Sequence, residues 1–149
     1  MKTILLVEDN PDDVRLTRRA LSQNNITNEL AVVSDGVEAV NYLNRAATAA
    51  TTGGPEVLPT VILLDLKLPR MDGFEVLRRI RADKRLRRLP VVVMTTSKED
   101  IDVLRSYDLG ANSFIRKPVD FEEFIEAVRQ LVFYWLLLNE TAPSTGGSL

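Results

Sequence analysis

Five short apolar, β-branched runs, TILLVE (3–8), ELAVVS (29–34), TVILLDL (60–66), VVVMTT (91–96) and SFIRK (113–117), are each followed by a longer segment whose apolar residues recur at helical spacing. Strand and helix alternating five times is the pattern of an α/β fold, because parallel neighbours need a crossover, and a helix makes it. The first, third and fourth runs are almost wholly apolar, which suits strands covered on both faces. The expected architecture is a five-stranded parallel sheet with helices on both sides. A chain of 149 residues makes one such domain without disulfides or metals to staple it.

Composition removes several kinds of chemistry. There is no cysteine, hence no disulfide, thiolate nucleophile or thiolate metal site, and no histidine, the commonest general base and transition-metal ligand. The net charge of −2 gives no pull toward nucleic acid or membranes. The start, MKTILLVEDN, meets two acids too early for a secretory signal. The apolar run LVFYWLLL (131–138) is far short of the roughly 20 residues that a membrane-spanning helix needs. The expected location is the cytoplasm.

Local signals place the helix starts. Asn10 is a cap for the first helix, with Pro11 at its first position and Asp12 and Asp13 near the positive end of its dipole. Ser97 with Asp100 and Asp120 with Glu123 read as acidic capping boxes, which start helix four near 98 and helix five near 121. Residues 44–59, NRAATAATTGGPEVLP, read as a lengthened end of helix two followed by a surface loop, the inserted part being about 46–59. The domain then runs over 1–139, and residues 140–149 read as a disordered tail.

In a parallel α/β sheet, ligands bind beyond the carboxyl ends of the strands. There the first strand ends in Glu8 and Asp9, the third in Asp65, the fourth in Thr95 and Thr96, and the fifth in Lys117 and Pro118. Each residue alone has an ordinary explanation as a cap, a strand end or a solvated charge. Together they make a site. Clustered carboxylates repel one another unless a cation lies among them, and a hard divalent ion with oxygen ligands, Mg2+ above all, meets that need. Asp65 can then act as a nucleophile toward phosphorus, with Lys117 and the Thr95 hydroxyl facing the phosphoryl oxygens.

The segments VEDN, LLDLKLPRMDG, VVVMTT and SFIRKP, in this order and at these separations, resemble the signature of response-regulator receiver domains of two-component signalling, over nearly all of residues 3–132. The resemblance implies a flavodoxin-like (βα)5 fold with strand order 2-1-3-4-5. It further implies that Asp65 is the phosphoacceptor, that Glu8 and Asp9 hold magnesium with the backbone carbonyl of Lys67, and that Lys117 and Thr95 complete the site. Pro118 matches a proline that usually follows a cis bond in this family. Phe114 falls at the aromatic switch position, where a tyrosine is common, and lacks a hydroxyl for an outward hydrogen bond. The implied partner is a sensor histidine kinase, and the implied role is that of a signalling protein rather than an enzyme.

Two other readings compete with this one. A magnesium phosphatase working through an aspartyl phosphate resembles an Asp-x-Asp pattern whose second acid protonates the leaving group, but that position is Lys67. A receiver-shaped binding module that never meets phosphate is the other, and it would carry a degraded site. The basic stretch RRIRADKRLRR (78–88) reads as the solvated side of a helix buried through Val76, Leu77 and Ile80, and not as a nucleic-acid surface.

In helix five, Phe121, Phe124, Ile125, Val128, Leu131, Val132 and Trp135 keep one helical face. Phe133, Tyr134, Leu136, Leu137 and Leu138 cannot all join it, which implies a second apolar surface of the kind that a two-fold dimer covers. The lengthened segment before strand three and the FYWLLLNE ending resemble single-domain response regulators paired with cyanobacterial phytochromes, and the resemblance implies a homodimer through helix 4, strand 5, helix 5 and the C-terminal extension. The signal is then expected to leave by protein contact or a phosphorelay.

Overall fold

The computed structural model describes residues 3–23, 28–55, 57–96, 99–117 and 120–133, and for residues 100, 121 and 131–133 the backbone alone. The elements alternate as expected: β1 (Thr3–Val7), α1 (Pro11–Gln23), β2 (Glu29–Val33), α2 (Gly36–Thr52), β3 (Val61–Leu64), α3 (Gly73–Ala82), β4 (Val91–Thr95), α4 (Asp100–Asp108), β5 (Ser113–Arg116) and α5 (Phe121–Phe133). The strands form one parallel sheet in the order β2-β1-β3-β4-β5. Every residue of β1, β3 and β4 is buried, while β2 and β5 are only partly covered. Apolar content thus sorted central strands from edge strands.

Alternate strand residues feed two cores. Leu5, Val7, Ile62, Leu64, Val91 and Val93 pack with Leu43 of α2 and Phe74, Leu77 and Ile80 of α3. Ile4, Leu6, Val61, Leu63, Val92 and Met94 pack on the opposite face with Ala20 and Leu21 of α1 and Phe124 and Val128 of α5. Because all five strands are parallel, their last residues meet at one rim.

Helix starts follow the local chemistry. The Asn10 side chain accepts from the Asp12 N–H at 2.9 Å, and Asp120 accepts from the N–H groups of Glu122 and Glu123 at 2.8 and 3.2 Å. Helix four departs from expectation: it begins at Asp100, its N-cap is Glu99, and no side-chain bond closes that cap. Ser97, Lys98 and the Asp100 side chain lie outside the described residues.

The lengthened end of helix two is present: residues 46–52 are helical, with Ala46, Ala47 and Ala49 buried, so the loop starts later than the insertion of about 46–59 expected. The helix ends at Gly53, whose φ of 81° suits a residue without a Cβ and whose N–H bonds to the Ala49 carbonyl at 2.8 Å. Among the described residues from 53 to 60 none belongs to a helix or strand.

The solvated-face reading of the basic stretch does not extend to Arg81. This residue extends the Leu77–Ile80 side of α3 and donates to the carbonyls of Gly110 (2.8 Å), Arg87 (2.9 Å) and Leu89 (2.7 Å) and to Asn112 Oδ1 (2.9 Å). One guanidinium thereby joins α3 to the turns before β4 and β5. Arg78 and Arg79 do lie on the exposed side, paired with Glu75.

Candidate phosphoacceptor and metal site

The rim forms because β1 and β3 are neighbours that end at the same level. The Asp65 N–H donates to the Val7 carbonyl at 3.1 Å, and the Glu8 N–H to Val33 at 3.0 Å, so both acids leave the sheet together. Among the described residues, carboxylate oxygens of Glu8, Asp9 and Asp65 all lie within 4.8 Å of one another. An all-oxygen set this compact fits one hard divalent cation, which tolerates water in its remaining positions. Lys67, the expected carbonyl donor, lies exposed two residues beyond Asp65.

Lys117 reaches this cluster from the end of β5. Its side chain is 7% exposed, and its Nζ bonds to Glu8 Oε1, to Asp13 Oδ2 at 2.9 Å and to Asp65 Oδ2 at 3.4 Å. Burial works against the ammonium charge, but the Asp65 and Glu8 carboxylates and the bond to Asp13 outweigh it and hold its pKa above the ordinary lysine value. Glu8 is 3% exposed, and burial pushes its carboxyl up to about 7 against the pull of Lys117.

Thr95 is fully buried at the end of β4, and its carbonyl accepts from the Lys117 N–H at 2.7 Å. Val93 pairs with Phe114 and Thr95 with Arg116, so Phe114 stands one diagonal step from Thr95. Phe114 is half-buried against the α2–α3 core. Pro118, Tyr134, Leu136, Leu137 and the Phe133 side chain, all named from the sequence, lie outside the described residues.

The loop from Asp65 to α3 is folded tightly over the rim. Gly73, the first residue of α3, donates its N–H to the Leu66 carbonyl at 2.8 Å, and Asp72 caps the helix through the Glu75 N–H at 2.9 Å. Met71 N–H bonds back to the Pro69 carbonyl at 2.7 Å, closing a three-residue turn around Arg70 at φ 66°. The Arg70 guanidinium forks onto Asp35, the N-cap of α2, at 3.0 and 3.2 Å. That bidentate pair ties the loop bearing Asp65 to the neighbouring strand-to-helix turn.

Sequence reasoning missed Asp13 as a member of the rim, assigning it only to the helix dipole. A usable signal was present, since Asp13 begins the stripe that continues with the buried Thr17, Ala20 and Leu21.

A parallel sheet in this order, with three acids and a lysine at its carboxyl edge, is the architecture of a phosphoryl-accepting signalling module. Residues 4–129 match the model of the response regulator receiver domain, and the chain belongs to that family. It is 41% identical over 138 residues to the probable methanogenesis regulatory protein FilR2 of Methanothrix harundinacea, covering 93% of this chain and 86% of that one. It is 38% identical over 135 residues to the response regulator Rcp1 of Synechocystis, covering 91% and 89%. The Mn2+-bound structure of Rcp1 superposes with a TM-score of 0.83 at 36% identity over 96% of this chain and all of that one. The phosphorylated cyanobacterial phytochrome response regulator RcpA gives a TM-score of 0.85 at 39% identity, covering 95% and 99%.

Proposed function

We propose that this protein is a response regulator that receives a phosphoryl group on Asp65 from a phosphohistidine of a partner sensor kinase, with Mg2+ as the resident ion. The carrying observation is the joint convergence of Glu8, Asp9 and Asp65 with the Lys117 ammonium on one rim. In the transfer the P–N bond of the donor breaks, the imidazole nitrogen keeps the electron pair, and a P–O bond forms to Asp65. The protein's contribution is placement and charge: Asp65 is presented at the sheet edge, and Lys117 neutralises charge on the equatorial oxygens. Glu8, Asp9, Asp65 and the Lys67 carbonyl would hold the cation, whose chemistry is to bind phosphoryl oxygens and offset their charge. Chemistry of this kind makes the chain a phosphoacceptor signalling protein rather than an enzyme.

Similarity to the phytochrome response regulator RcpA supports a phytochrome as the kinase. Thr95 and Phe114, neighbours on one sheet face, are the groups through which a new charge on Asp65 would bias the α4, β5, α5 surface. That surface already carries apolar side chains, because Ile101 and Leu104 of α4 are 64% and 61% exposed. It supports homodimerisation through α4, β5 and α5 with Phe133, Tyr134, Leu136 and Leu137. The proposed site of action is the cytoplasm; among the described residues no helix is long and apolar enough to cross a membrane.

The test is intact mass after incubation with acetyl phosphate, with and without Mg2+, on the native protein and on Asp65→Asn. A magnesium-dependent phosphate adduct that vanishes in the variant is expected. No adduct from acetyl phosphate or from a phosphorylated cognate kinase, with the fold intact, would leave a phosphate-independent binding module as the better account.

A further inference from the structure

Asp13 has no part in the chemistry assigned so far, yet it lies closer to the Lys117 ammonium than Asp65 does, at 2.9 against 3.4 Å. An ammonium has three N–H donors, and three carboxylates, those of Glu8, Asp13 and Asp65, surround this one. Two of them, Glu8 and Asp65, also belong to the acids that converge as a cation site, and Asp13 does not. Among the described residues it is therefore the partner of Lys117 that neither the cation nor the phosphoryl group claims.

We propose that Asp13 is a positioning residue for phosphoryl transfer: it keeps the Lys117 ammonium at the rim while Glu8 and Asp65 are engaged by the cation and the incoming phosphoryl group. This rests on the function proposed above. A lysine ends in a point charge on a flexible four-carbon stem, so its place depends on what it is anchored to. The anchor itself is rigid. Asp13 sits in the first turn of α1, its carbonyl accepts from Thr17 Oγ1 at 2.8 Å, and the helix is fastened to the sheet through Ala20 and Leu21. Its side chain is 24% exposed beside a 7% exposed ammonium, so water screens the pair less than it would at an open surface. An ammonium displaced from its position would meet the transition-state oxygens less well, and this loss falls on the rate.

The experiment compares the native protein with Asp13→Asn and Asp13→Glu. Adduct formation from acetyl phosphate is timed by intact mass, a reaction in which the P–O bond to acetate breaks and acetate leaves with the electron pair. Mg2+ affinity is measured separately, without phosphodonor, and the rate of reductive methylation of Lys117 is followed by peptide mass. For Asp13→Asn we expect phosphorylation slowed about tenfold, unchanged Mg2+ affinity and faster methylation of Lys117, with Asp13→Glu restoring most of the rate. Phosphorylation of Asp13→Asn at the native rate would overturn the role. So would Mg2+ affinity falling in step with the rate, which would make Asp13 an acid of the cation site. If the native protein takes no phosphoryl group from any donor, the function proposed above fails; faster methylation in Asp13→Asn would then identify a purely structural ion pair, and the positioning role would fall with it.

Discussion

A Cβ on Gly73 would lie 2.2 Å from the carbonyl oxygen of Asp65, and 2.7 Å from the Cα of Leu66. The first turn of α3 is thus laid directly on the backbone that presents Asp65, and only glycine permits it. Both contacts are with backbone, which cannot swing aside as a flexible side chain can.

Gly73→Ala should therefore destabilise the fold by about 1–3 kcal/mol, the usual range for overpacking. It should also slow adduct formation at Asp65, because the loop must shift to make room. Urea unfolding and timed intact mass check both parts, and a variant of native stability and rate would show that the loop yields freely.

Glu8→Gln should reveal a titration in the metal-free protein. A carboxyl whose folded pKa is raised favours its neutral form in the folded state, so the native protein should lose stability relative to Glu8→Gln as pH rises from about 4.5 to about 7, and hold steady above. The difference in Tm between the two proteins, measured across that window in chelator, reads this directly. A flat difference would mean that Glu8 titrates as an exposed glutamate does.

Arg70 sets a backbone preference against an ion pair. Arg70→Gly relieves the positive φ and loses the fork to Asp35; Arg70→Ala loses the fork and keeps the backbone cost. The glycine variant should be the more stable of the two by about 1 kcal/mol, measured as the separation of their urea midpoints. The reverse order would show that the turn around Arg70 rearranges.

Arg81→Met should cost about 2–4 kcal/mol, since three backbone carbonyls and the Asn112 side chain lose a charged donor at once. Arg81→Lys should recover only part of this, because an ammonium cannot reproduce the planar fork. Full recovery by lysine would reduce the role to charge alone.

Leu104→Glu should weaken self-association. The residue is exposed on α4 with Ile101 and Tyr107 and lies outside the buried core. Light scattering should show a dimer for the native protein and a shift toward monomer for the variant. A native monomer, or a variant dimer of unchanged strength, would move the interface elsewhere.

Much of the fold was legible because its signals are local and redundant. All five strands fall within the runs first marked, and Asn10, Asp120 and Gly53 act through neighbours a few residues away. Helix four begins at Asp100, two residues beyond the expected start near 98, and Ser97 and the Asp100 side chain of its expected cap lie outside the described residues. The lengthened end of helix two is legible, but not the residue at which it stops, since alanine and threonine look alike in an exposed spacer and in a tightly packed helix.

From the order of residues alone came the alternation of strand and helix, the apolar content that makes β1, β3 and β4 central, and the gathering of Glu8, Asp9, Asp65, Thr95 and Lys117 at strand ends, since parallel strands all finish on one side. Only the tertiary structure decided which charge meets which: that Lys117 takes Asp13 as a third carboxylate 104 positions away, that Arg81 turns inward while Arg78 and Arg79 stay out, and that Arg70 reaches Asp35. Apolar pattern is a property of each segment and survives any arrangement of them. A charge pair between distant segments exists only once packing has brought two side chains within a few ångströms and removed the water that would otherwise serve each alone.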